Sequence, residues 1–266
     1  MRLAILTITL FFIPLAVFAQ GAPGGLQLAI EEVRYNRTVA DSPKLEIVTI
    51  IKGDYLKKAK RKRIQIVRAQ DNLGNELKLK EYNLANEDFS IIDKRDDVSA
   101  AILIELKYPS EGAMQITKLE GNLELYIPDF DSKAKLVLPD FSEKLARGFY
   151  FEKNIFALQS QQSSQPPKFE ASLRATYSLS SADSEEATHI INIQIEDKGK
   201  KVLDVMLTDR EGNDVLPGDV ILSEDKTDLR YRFYRHPREI ADLVIYLRTF
   251  SAIQILPLEY KSIPLP

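Results

Sequence analysis

Residues 99–127, SAAILIELKYPSEGAMQITKLEGNLELYI, carry the alternation of apolar and polar side chains that decides the fold class. Ile102, Ile104 and Leu106 are each separated by one residue, and the run Leu123-Glu124-Leu125 repeats this spacing. Successive side chains of a β-strand point to opposite faces, so residues two apart share one face. The stretch therefore predicts two half-buried strands.

The same spacing recurs on both sides of this stretch, between segments rich in Asp, Asn, Gly, Lys and Pro. The apolar runs are Leu26-Leu28-Ile30, Leu45-Ile47-Ile51, Ile64-Ile66, Leu77-Leu79, Phe169 to Tyr177, Ile191-Ile193-Ile195, Leu203-Val205-Leu207, Tyr231-Phe233 and Ile253-Ile255. This density of short strands is typical of β-sandwiches. The sequence predicts an all-β protein with two tandem immunoglobulin-like sandwich domains.

Short segments of the two halves correspond in a common order, which predicts a duplication. The turn DNLGNEL at 71–77 aligns with DREGNDV at 209–215, and YPSE at 108–111 aligns with HPRE at 236–239. LVLP at 136–139 aligns loosely with SIPLP at 262–266.

The duplication and the composition together predict the domain boundaries. Domain 1 is expected at 20–141 and domain 2 at 168–266, with a start as early as 146. The connecting segment 142–167 begins with one helical turn and ends in a polar Gln/Ser/Pro-rich loop. Whether 149–158 adds a strand to domain 2 stays open.

The N-terminus has the pattern of a cleaved signal peptide at residues 1–19. Arg2 precedes an apolar run that ends at the small residue Ala19, and Pro14 interrupts this run, which disfavours an uncleaved membrane anchor. We therefore expect a periplasmic or secreted protein with no transmembrane segment after cleavage.

The composition excludes several classes of site. The chain has no cysteine, no tryptophan and two histidines, so disulfides, thiolate chemistry and histidine-cluster metal sites are not expected. The net charge of −3 gives no reason to expect nucleic acid as a partner. No phosphate-binding loop or nucleophile elbow occurs, so neither a cofactor nor an enzymatic activity is predicted. Acidic residues near 71 and 209 suggest turns more than calcium sites.

Two basic segments are candidate surface-binding elements. The first, here called the basic segment, contains Lys57, Lys58, Lys60, Arg61, Lys62 and Arg63. The second contains Arg230, Arg232 and Tyr234, which alternation places on the outer face of a strand. Such surfaces suit acidic glycans, carboxylates or lipid headgroups, although a solvated hairpin tip for the first segment and a solvated strand face for the second are the favoured interpretations.

These observations predict an exported, non-catalytic β-sandwich protein that acts as a binding or structural module. Its partner is an unknown envelope protein or polysaccharide. One alternative is a glycan- or anionic-surface-binding module, and another is a hydrolase that uses paired carboxylates. The order of parts also resembles that of periplasmic pilus-assembly chaperones, with Leu26 to Val33 as the opening strand. That resemblance implies strand donation to a subunit, although the near-duplication of the halves departs from the chaperone pattern.

Overall fold

The computed structural model describes residues 25–36, 43–79, 89–146, 150–154, 171–180, 188–225 and 227–266. The predicted signal peptide and the Gln/Ser/Pro-rich loop at 159–167 lie outside the described residues.

The structure is almost entirely β, and its strands pair antiparallel. The strands are β1 Gln27–Asn36, β2 Lys44–Lys52, β3 Arg61–Asp71, β4 Ser90–Ile91, β5 Asp93–Asp96, β6 Ser99–Lys107, β7 Gln115–Tyr126, β8 Lys135–Leu138, β9 Tyr150–Asn154, β10 Ala171–Ser180, β11 Thr188–Asp197, β12 Val202–Asp209, β13 Asp214–Val215, β14 Asp219–Leu222, β15 Asp228–Phe233, β16 Ile240–Leu247, β17 Ile253–Tyr260 and β18 Ile263–Pro264. Within the described ranges, the α-helix α1 spans Phe141–Ala146, and short 3-10 turns occupy Asp54–Lys57, Pro128–Phe130, Ser132–Ala134, Pro237–Glu239 and Phe250–Ala252.

The chain forms two compact units, each with its own core. Unit 1 contains the described residues up to Ile127 together with Ile253–Pro266. Its strands form one sheet in the order β1-β2-β6-β5 and a second in the order β17-β7-β3-β4, with β18 also paired to β7. Side chains of both sheets meet in one apolar cluster, for example Ile47 and Ile104 with Leu123 and Leu258. Unit 1 is therefore a two-layer β-sandwich.

Unit 2 spans Pro128–Ala252 and repeats this arrangement. One sheet has the order β14-β15-β11-β10-β9, and the other has the order β13-β12-β16-β8. Its core includes Leu173, Ile193 and Phe233 from the first sheet and Leu207 and Leu243 from the second. Strands β10, β11, β12, β15 and β16 take the places that β1, β2, β3, β6 and β7 take in unit 1.

The unit boundaries differ from the domain boundaries expected from the sequence. The segment after β7 contributes β8 to unit 2, where β8 pairs with β16. The segment after β16 contributes β17 and β18 to unit 1, where both pair with β7. Alternation identifies a segment as a strand, but it carries no information on which of two equivalent sheet edges the strand will join.

Most of the predicted apolar runs lie in strands, and the connecting segment acquires a definite place. The helical turn expected after residue 141 is confirmed as α1, and β9 pairs with β10, so the strand left open within 149–158 belongs to unit 2. The run Leu77-Leu79 is an exception, because an isolated bridge between Gln70 and Glu76 takes the place of a strand there. Leu77 is still buried. Its N–H donates to the carbonyl oxygen of Ala69, and its carbonyl oxygen accepts the N–H of Lys107.

The aligned turns at 71–77 and 209–215 have the same hydrogen bonds. Oδ1 of Asp71 accepts the N–H of Leu73 at 2.9 Å and that of Asn75 at 2.8 Å. Oδ1 of Asp209 accepts the N–H groups of Glu211 and Asn213 at the same two distances. Gly74 and Gly212 have φ values of 88° and 85°, a region that favours glycine. The turn interpretation of these acidic segments is confirmed.

Candidate functional site

The cations of the basic segment lie on a 3-10 turn, on the short connection after it and on β3. Lys57 ends a 3-10 turn, and its Nζ lies 3.7 Å from Oδ1 of Asp54. Lys58, Lys60 and Arg61 also interact with other groups of the protein. The two remaining cations, Lys62 and Arg63, lie on β3 and are used by the fold itself.

Arg63 is a structural cation of unit 1. Its Nε and Nη2 donate to Oε2 of Glu124 at 2.9 and 2.5 Å, and its guanidinium lies 5.0 Å from the ring centroid of Phe89. The two charged side chains are only 17% and 6% exposed. A charge paired this deeply is poorly placed to grip an external anion, because binding would require the internal pair to break.

Lys62 and Lys94 form the partly desolvated part of this surface. Nζ of Lys62 donates to the carbonyl oxygen of Ile91 at 3.2 Å, and burial lowers the pKa of Lys62. Nζ of Lys94, on β5, donates to the carbonyl oxygen of Lys57 at 3.4 Å. Burial, followed by the charge of Lys60, lowers the pKa of Lys94. Sequence reasoning missed Lys94 because it is distant from the basic segment along the chain.

On the second predicted surface, on β15, carboxylates pair with the two arginine side chains. Nη2 of Arg230 donates to Asp228 at 2.8 Å, and Nη1 of Arg232 lies 3.4 Å from Oδ2 of Asp219. The Tyr234 hydroxyl donates to the same Asp219 oxygen. The predicted outward orientation is confirmed, but the partner Asp219 comes from β14, which the alternation did not reveal.

Strand β14 presents exposed apolar side chains at the end of its sheet. Among the described residues, it lies at the end of its sheet and pairs with β15 alone. Val220, Ile221 and Leu222 are 50%, 51% and 49% exposed, and Leu216 just before the strand is 66% exposed. After β14, the hydroxyls of Ser223 and Thr227 donate to Asp225 and lower its pKa to about 2. The edge formed by β14 is therefore apolar.

The corresponding edge of unit 1 has the opposite character. Strand β5 takes the place of β14, at the end of its sheet beside β6, and its four residues are Asp93-Lys94-Arg95-Asp96. A register shift between Lys94 and Asp96 also interrupts its pairing. Charges and bulges on an edge strand are the usual means of preventing another strand from pairing with it. Unit 1 blocks this edge, whereas unit 2 leaves it apolar.

The two histidines of the chain, His189 and His236, lie in contact. The ring centroids of His189 and His236 are 4.3 Å apart, and both residues lie just beyond Ile191 and Phe233, the last paired positions of β11 and β15. Nδ1 of His189 is 2.6 Å from the Tyr177 hydroxyl, and Nδ1 of His236 accepts the N–H of Arg238 at 3.0 Å. His236 thus caps the 3-10 turn at Pro237–Glu239 through its side chain.

A groove of about 650 Å³ lies on β1, β2, β5 and β6 in unit 1. In this groove Arg95 forms a bidentate ion pair with Glu31. Its Nη1 and Nη2 donate to Oε1 and Oε2 of Glu31 at 2.7 and 2.5 Å, and these hydrogen bonds lower the pKa of Glu31. The hydroxyl of Ser99 likewise lowers the pKa of Asp96. Both of these carboxyl groups therefore have lowered pKa values, whereas a general acid in paired-carboxylate hydrolysis has a raised pKa.

Comparison with known proteins adds no relative. No family model, curated protein or solved structure matches the chain. Within the described residues, no group of three or more His, Asp or Glu side chains is arranged to hold a metal ion. No helix in that part of the chain has the length and apolarity needed to cross a membrane.

Proposed function

We propose that the mature chain is a non-catalytic binding module of the cell envelope or of a secreted assembly. Its binding element is the edge of β14, which pairs with an extended segment of a partner protein. The signal-peptide pattern at residues 1–19 supports export, and a mature N-terminus at Gln20 in the exported protein is the test of cleavage.

The proposal treats each unit as an immunoglobulin-like sandwich. In unit 1 the orders β1-β2-β6-β5 and β3-β7-β17 correspond to the A-B-E-D and C-F-G sheets of a constant-type domain. In unit 2, β10, β11, β15 and β14 take the A, B, E and D places, and β8 takes the place of the last strand. The matching turns at Asp71 and Asp209 support the duplication. Strands β5 and β14 are then the same strand of two related domains.

The contrast between β5 and β14 is the observation that carries the proposal. Both strands begin with an aspartate, and one continues Lys94-Arg95-Asp96 while the other continues Val220-Ile221-Leu222. The fold therefore tolerates three charged residues at this edge. Three half-exposed apolar residues are unnecessary for folding and create an aggregation risk, which is acceptable where a partner covers them.

The backbone of β14 selects an extended peptide as the partner. The N–H of Ser223 donates to the carbonyl of Asp228 at 3.0 Å, so hydrogen-bonded pairs recur at Ile221 and Arg230. The N–H groups of Val220 and Leu222 consequently point away from β15. These outward groups are complementary to an added strand, and the apolar side chains provide contacts on both of its faces.

The experiment transfers the charged edge of β5 onto β14. The variant carries Val220→Lys, Ile221→Arg and Leu222→Asp, and a second variant, Val220→Pro, removes one outward N–H without touching a β14–β15 bond. The tagged mature chain and both variants are used to capture partners from the native envelope fraction. We expect the affinity of both variants for a captured partner to fall by about tenfold or more. A tenfold fall corresponds to a loss of about 1.4 kcal/mol of binding free energy.

Two controls make the result specific. Leu103→Lys changes a 42%-exposed apolar residue on the interior strand β6, and it should leave capture unchanged. Hydrogen exchange of the complex should show new amide protection at residues 220–222. Equal capture by the wild type and by both β14 variants would refute the edge as the binding element. Sedimentation of the purified chain alone shows whether the added strand is supplied by a second copy.

A further inference from the structure

Unit 1 is completed by strands from the far end of the chain. β17 pairs with β7 from Ile253–Tyr126 to Tyr260–Leu119, and β18 continues the pairing at Ile263. Leu256 and Leu258 of β17 are fully buried in the core of unit 1. These strands are integral parts of the sandwich, although residues 127–252 separate them from β7 in sequence.

Unit 2 is completed in the reciprocal way. β8 follows β7 after only residues 127–134, yet it pairs with β16 from Leu243–Leu138 to Tyr246–Lys135. β17 follows β16 after residues 248–252 and joins β7 instead. Both connections contain 3-10 turns, and neither returns its strand as a hairpin beside the strand that it leaves. Each half of the chain therefore donates its last strand to the sandwich that the other half builds.

We propose that two copies of this chain also make this exchange with each other, so that β17 of one copy completes unit 1 of the other. A second copy offers the same β7 edge and the same core groove as the chain's own unit 1. Every strand pair of the monomer is kept in such a dimer, so chain concentration decides between the two forms. The exchange does not use β14 and is independent of the proposed function.

Engineered cysteines test the exchange cleanly, because the chain has none of its own. Glu259 of β17 and Glu120 of β7 are register partners, and neither is buried. Opposed residues in an antiparallel pair lie within the Cα separation that a disulfide requires. One copy carries Glu120→Cys with one tag, and the other carries Glu259→Cys with a different tag. The two are unfolded, mixed, refolded over a range of concentrations and oxidised.

The expected product is a disulfide-linked species of twice the chain mass that carries both tags and increases with concentration. A single chain with both substitutions should form the internal disulfide and confirm the β7–β17 pairing. Lys261→Cys, an exposed position outside β17, replaces Glu259→Cys as the control and should give only background linkage. The proposal is overturned if the double variant closes internally while the mixed copies never exceed this background. Failure of the internal disulfide to form would overturn it as well.

Discussion

Removal of residues 253–266 is expected to unfold unit 1 and to leave unit 2 folded. The deletion takes away β17 and β18, which form the edge of one sheet of unit 1. Unit 2 keeps all of its strands, because its last strand is β8 from the middle of the chain. A boundary at residue 168, as expected from the sequence, predicts the opposite outcome.

The size of the effect follows from the side chains that are lost. Leu256 and Leu258 are 0% exposed and Ile263 is 4% exposed, and burial of each such side chain contributes about 1.5–3 kcal/mol. Their loss removes about 4.5–9 kcal/mol, before counting the core of β7 that becomes open to water. Whole domains are stable by about 5–15 kcal/mol. The truncated unit 1 is therefore left with little or no stability.

Hydrogen exchange read by mass spectrometry separates the two outcomes. Amides of β2 and β6 should lose protection in the truncated chain, while those of β11 and β12 should keep it. A milder pair of variants gives the matched control: Leu258→Ala should destabilise unit 1 by about 2–5 kcal/mol, whereas Ile255→Ala, at a 43%-exposed position, should have little effect. Lost protection in β11 with intact protection in β2 would refute the assignment of β17 to unit 1.

Three further predictions concern single residues of unit 1, each measured by urea unfolding. Burial alone would raise the pKa of Asp71, but its hydrogen bonds from Asn75 and Leu73 hold the pKa below its usual value. Asp71→Asn should thus lower the free energy of unfolding by about 1–2 kcal/mol at pH 7. This difference in stability between wild type and variant should become smaller below about pH 4, because the wild-type carboxylate becomes protonated there. Gly121→Ala should cost about 3 kcal/mol or more, because its Cβ would lie 2.2 Å from a backbone oxygen of β3, whereas Gly112→Ala, with open space but a φ of 84°, should cost about 1 kcal/mol. Arg63→Ala should cost about 3 kcal/mol by leaving Glu124 buried and unpaired, and adding Glu124→Leu should recover part of this loss.

The candidate binding edge shows how far sequence patterns reach. The run Val220-Ile221-Leu222 is apolar without alternation, so no strand was predicted there, and nothing in it indicates exposure. Its exposure follows from its place at the end of a sheet, which depends on how the strands are ordered. The charged run Asp93 to Asp96 likewise gives no indication in sequence that it forms an edge strand, because this also depends on the order of the strands. Only the comparison of equivalent places in the two units reveals the contrast between them.

The basic segment shows the converse. Six cations in seven positions are conspicuous in sequence. In the structure, however, Arg63 forms an ion pair with Glu124, and Lys62 donates a hydrogen bond to a backbone carbonyl. The contact between His189 and His236 also depends on the register of β11 against β15. A local pattern reports which residue types are present, whereas the partner of a charge or ring is set by residues distant along the chain.

The sequence by itself determined the all-β class, the core faces of most strands and the paired turns at Asp71 and Asp209, because these depend on local alternation and turn chemistry. Only the tertiary structure decided that β8 and β17 exchange places, and that β14 stands at an open edge. Two similar halves offer each last strand two similar edges, and local sequence does not distinguish them. That choice depends on packing against residues that are distant along the chain.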